Sequence, residues 1–178
     1  MHPSLNGYGS AFASWLATHF PNDTDVPEVA QLDWTLRRAF DGANSKVLTQ
    51  ADLAHVPEHA WEQVRFEFVP TASCLQITSN AVALWQALSQ NQQPPQAGLL
   101  QAPATVLVWR REHQPHFRTV CSTEAWCLGL VMEGGTFGEL GEHLSQYHSE
   151  AEAVHWMGHL LGRWVTDCLL AEIKLPEK

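Results

Sequence analysis

Positive charge is scarce in this sequence, and so are the patterns that mark export or membrane insertion. Ten Lys and Arg stand against nineteen Asp and Glu, a formal net charge of −9. A surface of that sign repels phosphate unless a local patch reverses it, so wholesale duplex binding is disfavoured. No run approaches the roughly 18 apolar residues of a membrane span. The start, Met1-His2-Pro3-Ser4-Leu5, lacks the charged-then-apolar order of a signal peptide. None of the four cysteines, Cys74, Cys121, Cys127 and Cys168, belongs to a CxxC pair, so reduced thiols in a cytoplasmic setting are expected. There is no GxSxG, and Gly134-Gly135-Thr136 lacks the lysine of a phosphate loop.

Apolar material is plentiful. At 45% hydrophobic, with eight Trp in 178 residues, the chain can build a core, which excludes disorder as its dominant state. The length fits one medium domain or two small ones. Among the ten histidines, His155 and His159 stand four apart, on one face of a helix where a metal would bridge them. Trp156 occupies the position where a zincin has Glu, and no third ligand stands out, so no metal is expected in this chain.

Periodicity predicts helices over 8–20, with Phe12, Trp15, Leu16 and Phe20 as a buried stripe, and over 26–41, with Val29, Leu32, Leu36 and Phe40. Pro27 suits the first turn of the second helix and Gly42 its C-terminal cap. Thr49 with Asp52 opens a short helix, and Pro57 starts another over 58–63. Residues 64–69 alternate like a strand, and 80–89 return to helix. The polar, Pro-containing stretch 90–103 reads as a linker. Beyond it come strands at 105–110 and 116–121 around a turn, then a helix over 123–133 closed by Gly134-Gly135. Thr136 with Glu139 and Ser149 with Glu152 cap two further helices, and a last strand follows near 169–175. The expectation is an α+β chain: a mainly helical N-terminal domain over 1–89, the linker 90–103, and a small winged-helix-like domain over 104–178 with a short antiparallel sheet.

A winged-helix unit serves two ends. One is DNA binding. The helices over 136–148 and 150–167 carry Glu139, Glu142, Glu150, Glu152 and Asp167 against Arg163 alone, which opposes that use. The other is capture of an extended peptide on a sheet edge. The hairpin is the most basic part of the chain, with Arg110, Arg111 and Arg118, and these would select acidic partner side chains. A solvated rim and a covered edge are the competing explanation.

Leu5-Asn6-Gly7-Tyr8-Gly9, the helix Val26-Pro27-Glu28-Val29-Ala30-Gln31-Leu32-Asp33-Trp34 with its Arg37-Arg38-Ala39-Phe40 end, Leu107-Val108-Trp109-Arg110-Arg111, Glu124 and the Gly134-Gly135-Thr136 break resemble the BufC/HvfC family. The chain starts at the Pro-Ser-Leu-Asn stretch, which longer members precede with a helical segment. It thus resembles the compact type tied to methanobactin biosynthesis, or a truncation of a longer BufC-like protein. The resemblance implies a non-catalytic subunit bound to an MbnB-like iron TIM-barrel enzyme. Such pairs convert cysteines of a ribosomally made precursor peptide to oxazolone and thioamide groups. Iron is expected in the partner, and no cofactor, nucleic acid or membrane for this chain. The precursor's leader is expected along one hairpin edge at Val106, Val108, Arg110, Phe117 and Arg118, with apolar support from Trp156, Leu160 and Trp164. Arg37, Arg38 and Phe40 are the expected enzyme-docking residues. A winged-helix transcription regulator, or a partner in another cysteine-modifying pathway, are the alternatives.

Overall fold

A computed structural model describes Gly9 and residues 11–175. Leu5–Tyr8 of the family-like N-terminal stretch lie outside the described residues. The chain divides into two units, 1–42 with 73–121 and 43–72 with 122–178, and passes between them three times. The expected boundary at 90–103 is therefore corrected. It falls inside the first unit, and its residues 99–103 already belong to a strand. The expected 104–178 domain is likewise divided, its hairpin going to the first unit and its helices to the second.

The first unit begins with α1 (Phe12–His19) and α2 (Asp25–Asp41). Of the α1 stripe only Leu16 is buried; Phe12, Trp15 and Phe20 are 53%, 50% and 44% exposed. A strand absent from the expected elements, Ser73–Ser79, opens the sheet of this unit. The second unit holds an earlier strand, so these are numbered β1 (Arg65–Phe68) and β2 (Ser73–Ser79). Helix α4 (Ala81–Ser89) follows, then β3 (Leu99–Arg111) and β4 (Gln114–Val120). The sheet order is β2-β3-β4, all antiparallel, with β3 in the middle. Helix α2 lies on one face. Leu32, Leu36 and Ala39 pack there on Leu75 and Ile77 of β2 and Val106 and Val108 of β3, with Val82, Trp85 and Phe117 at the margin.

The ladder fixes which backbone groups point where. The two-residue turn Glu112-His113 sets Arg111 opposite Gln114. Glu112 takes φ 56°, the positive value such a turn requires. The pair closing a two-residue turn is hydrogen-bonded, and bonded pairs alternate with unbonded ones along the ladder. Trp109–His116 and Leu107–Arg118 are then bonded pairs, while Pro115, Phe117 and Thr119 turn their backbone groups away from β3. Pro115 stands where the ladder needs no N–H. On β3 the remaining residues address β2, which leaves Cys74, Gln76 and Thr78 facing outward there. Thr78 behaves accordingly: its N–H donates to Glu28 of α2 at 2.7 Å.

Glu28 ties α2 to the end of β2. Its carboxylate accepts the N–H and hydroxyl of Thr78, each at 2.7 Å, and those of Ser79 at 2.9 and 2.6 Å. Partial burial alone would raise its pKa, but the bonds from Ser79 and Thr78 outweigh that and hold the carboxyl below its ordinary value. At the other end of α2, Gly42 is extended (φ −66°, ψ 164°) and forms no left-handed cap. Arg110 meets the carbonyls at that end instead.

The second unit contains α3 (Gln50–Leu53), a 3-10 helix (Glu58–Gln63), β1, α5 (Ser122–Met132), α6 (Phe137–Tyr147), α7 (Glu150–Thr166) and β5 (Leu170–Lys174). All three expected capping boxes form, at Thr49/Asp52, Thr136/Glu139 and Ser149/Glu152. Gly134, at φ 84°, ends α5 where its N–H reaches Val131 O and Gly135 N–H reaches Leu130 O. Gly138 is needed at the start of α6, because a Cβ there would meet Glu62 O at 2.7 Å. Strand β5 pairs with β1 and not with the hairpin. Phe66, Trp164, Leu128, Leu144, Leu160 and Leu170 fill the core of this unit.

Glu28→Gln is expected to destabilise the chain by about 1.5–3 kcal/mol at neutral pH, the range for a hydrogen bond to a charged group. Because the folded-state pKa is lowered, the Glu28 contribution is present above the ordinary carboxylate range and is lost as pH falls through the folded value. Denaturant unfolding at several pH values should show the gap between wild type and variant closing in acid.

Candidate functional site

The hairpin residues separate into different roles. Val106 and Val108 are fully buried on the central strand, hydrogen-bonded toward β2 and packed under α2. They offer no free edge, which corrects their expected part in peptide capture; Val108→Pro would break the core ladder, not blunt a border. Arg110 is also committed. Its Nη1 donates to Phe40 O at 2.7 Å and to Gly42 O at 2.8 Å, where the unsatisfied carbonyls and negative dipole end of α2 lie. Arg118 stands on the opposite sheet face, its guanidinium 6.0 Å from the Trp109 ring centroid.

Phe117 is the hairpin residue that reaches an open surface. Together with Trp85, whose ring meets it edge-on at 5.3 Å and 86°, it lines a groove of 610 Å³ beside β4. Phe40, Trp34, Asp33 and Asp41 of α2 form the facing wall, and Arg37 and Pro115 also border it. Two groups of residues expected to serve different partners, Phe117 for the peptide and Arg37 and Phe40 for the enzyme, thus share one groove. Phe40 is 58% exposed there. Asp33 organises the wall: its Oδ1 accepts the Trp85 indole N–H at 3.2 Å and its Oδ2 accepts Arg37 Nε at 2.7 Å. Arg38 points elsewhere, into a groove that Glu28, Gln31 and Ser73 also line. Trp34 borders both grooves, and its Nε1 is buried without a partner among the described residues.

β4 is an outer strand of its sheet, and no other strand among the described residues pairs with its far side. Thr119 is exposed and Phe117 half-buried. The backbone groups of both point outward by the ladder alternation above. β2, the other outer strand, is partly occupied, since Glu28 takes the Thr78 N–H.

The expected apolar support on α7 belongs to the second unit. Leu160 and Trp164 are core residues, 3% and 0% exposed. Trp164 meets Phe68 edge-on at 5.2 Å and donates its indole N–H to the buried Glu124 at 3.1 Å. Trp156 is half-buried beside His159 and His148. His155 and His159 are exposed with ring centroids 6.5 Å apart, and among the described residues no group of three or more His, Cys, Asp or Glu could hold a metal ion. A larger depression of 950 Å³ in this unit is lined by Leu53, Trp61, Leu161 and Val165 under the open faces of Gly158 and Gly162; His159 borders it, and none of the expected peptide- or enzyme-contacting residues does.

Sequence reasoning missed Trp85, Asp33 and β2. Leu75 and Ile77 alternating with Gln76 and Thr78 was the available signal for the strand. No family model matches the chain, and a search of curated proteins finds no significant relative.

Arg110→Ala is expected to lower the unfolding free energy by about 1–3 kcal/mol, because it orphans carbonyls at the end of α2. Chemical denaturation measures it. Unchanged stability would show that the guanidinium is not part of the fold.

Proposed function

We propose that this chain is the non-catalytic, peptide-holding subunit of a heteromeric peptide-modifying oxygenase, similar to the methanobactin biosynthesis protein MbnC, and that it receives the precursor's leader on the outer border of β4. The observation that carries the reading is the pair of outward-facing backbone positions, Phe117 and Thr119, on an outer strand beside an aromatic groove. Main-chain hydrogen bonds give such an edge affinity, and the neighbouring groove gives it selectivity. Iron chemistry is supplied by an MbnB-like barrel partner, which converts cysteines to oxazolone and thioamide groups. This subunit's part is proximity, since a tethered leader raises the effective concentration of the precursor's cysteines at the iron.

The docking side of the complex is also revised. Arg37 is engaged with Asp33 and Arg38 borders a different groove, so neither is retained as the main enzyme contact. The exposed aromatic row of Phe12 and Trp15 on α1 and Phe20 at its C-terminal cap, with Trp15 stacked on His19 at 4.0 Å, supports α1 as the enzyme-facing element. Contiguous exposed aromatic surface of this kind marks interaction sites. The winged-helix likeness, on this reading, is confined to the second unit, where α5, α6 and α7 accompany the β1–β5 ribbon. A cytoplasmic setting follows from the same reading.

Coexpressed with an MbnB-like enzyme and a Cys-containing precursor, the chain is expected to copurify with both; elution of the chain by itself would overturn the reading. Within that complex, Thr119→Pro removes an outward N–H that serves no internal ladder bond. It is expected to weaken precursor binding by roughly tenfold while leaving the unfolding midpoint nearly unchanged, the scale of one hydrogen bond. Titration calorimetry checks the affinity.

A further inference from the structure

We infer that the groove beside β4 is a subsite for a basic side chain, Lys or Arg, of the segment that adds to this strand; the inference rests on the edge reading above and specifies its ligand. Pro115, Phe117 and Thr119 share the sheet face that α2 covers, and their backbone groups face outward. A strand laid along them sends every second side chain to that same face. There the side chain enters the groove between Phe117, Trp85 and Phe40, with Asp33 and Asp41 on the α2 wall.

The walls select by charge. Aromatic faces attract a cation and pack along the methylenes of a long basic side chain. Of the charged groups at the groove, Arg37 is paired with Asp33 at 2.7 Å, so these two offset one another. Asp41 is exposed on the groove wall and has no ion-pair partner among the described residues, the Arg110 guanidinium being held on the carbonyls of Phe40 and Gly42 to either side of it. The basic residue expected to attract acidic partners, Arg110, points instead at Phe40 O and Gly42 O on α2. The chain as a whole is at −9, which also favours a basic partner segment. The charge preference expected from the hairpin arginines is thereby reversed at this site: an acidic side chain would meet Asp41, and a basic one is complementary to it.

The test uses short acetylated, strand-forming peptides of alternating threonine and valine with Lys, Arg, Leu or Glu at the centre, titrated against the full chain by fluorescence polarisation. Lys and Arg peptides are expected to bind roughly tenfold more tightly than the Glu peptide, the scale of one cation–π contact with one exposed ion pair. Asp41→Lys should abolish that preference without changing the affinity of the Leu peptide. Equal or tighter binding of the Glu peptide, or a preference untouched by Asp41→Lys, overturns the inference. Thr119→Pro separates it from the reading beneath it. If this variant weakens every peptide alike while no basic preference exists, the edge stands and the subsite falls. If it weakens none, or if no peptide binds to the parent chain, both fall.

Discussion

Saturation of β3 on both sides is the constraint from which the first unit follows. Its residues alternate between bonding β2 and bonding β4, and from Thr105 to Val108 the central strand has a neighbour on each side. The same residues carry the core: Val106 and Val108 are fully buried beneath Leu32 and Leu36 of α2. A strand so enclosed cannot accept a foreign one. Unpaired backbone is displaced to the two outer strands, and there the chain treats the two differently. Glu28 reaches across from α2 to occupy the end of β2 with four hydrogen bonds, while β4 keeps Phe117 and Thr119 turned outward. Pro115 removes the outward donor nearest the turn, which limits the outward N–H groups of the border to Phe117 and Thr119.

The second unit manages its short ribbon in another way. Strand β1 is bridged at Arg65 to Thr136, and Val64 O accepts the Phe137 N–H at 2.8 Å. On β5, Leu170 O accepts the Leu48 N–H at 2.8 Å. Both flanks are thus engaged by the unit's own backbone. Inside, Trp164 and Glu124 satisfy one another in a setting where an unpaired indole or carboxylate would be costly. Spacing on α7 identified Trp164 as an inward residue, and that much is borne out; its burial makes it a support of this core.

Local signals in the sequence were read correctly because they are completed within a few residues. The Thr49/Asp52, Thr136/Glu139 and Ser149/Glu152 boxes each close over a single turn, and α2 and α7 match the expected ranges to within a residue or so. What escaped depends on distant partners. The Leu75–Ile77 alternation was visible, yet without β2 the expected sheet was the hairpin with the last strand, and β3 looked available as a border. Gly42 suggested a left-handed cap, whereas the α2 carbonyls are met by Arg110 from 68 residues away. Phe12, Trp15 and Phe20 keep helical spacing, but spacing does not say whether a stripe meets its own core or stays exposed. The interleaving of two units along one chain leaves no compositional mark, and the polar stretch after α4 was a loop within a unit.

Function on this account is a division of labour: a strand border that holds a peptide, and chemistry performed on another polypeptide. Residue-resolved amide hydrogen exchange on the free chain tests the structural half of that claim most directly. The account predicts rapid exchange at Phe117 and Thr119 beside slow exchange at His116 and Arg118, with Phe117 and Thr119 slowing selectively when a peptide is added. Protection at Phe117 and Thr119 in the free chain equal to that at Val108 would mean the border is already closed, and would contradict it.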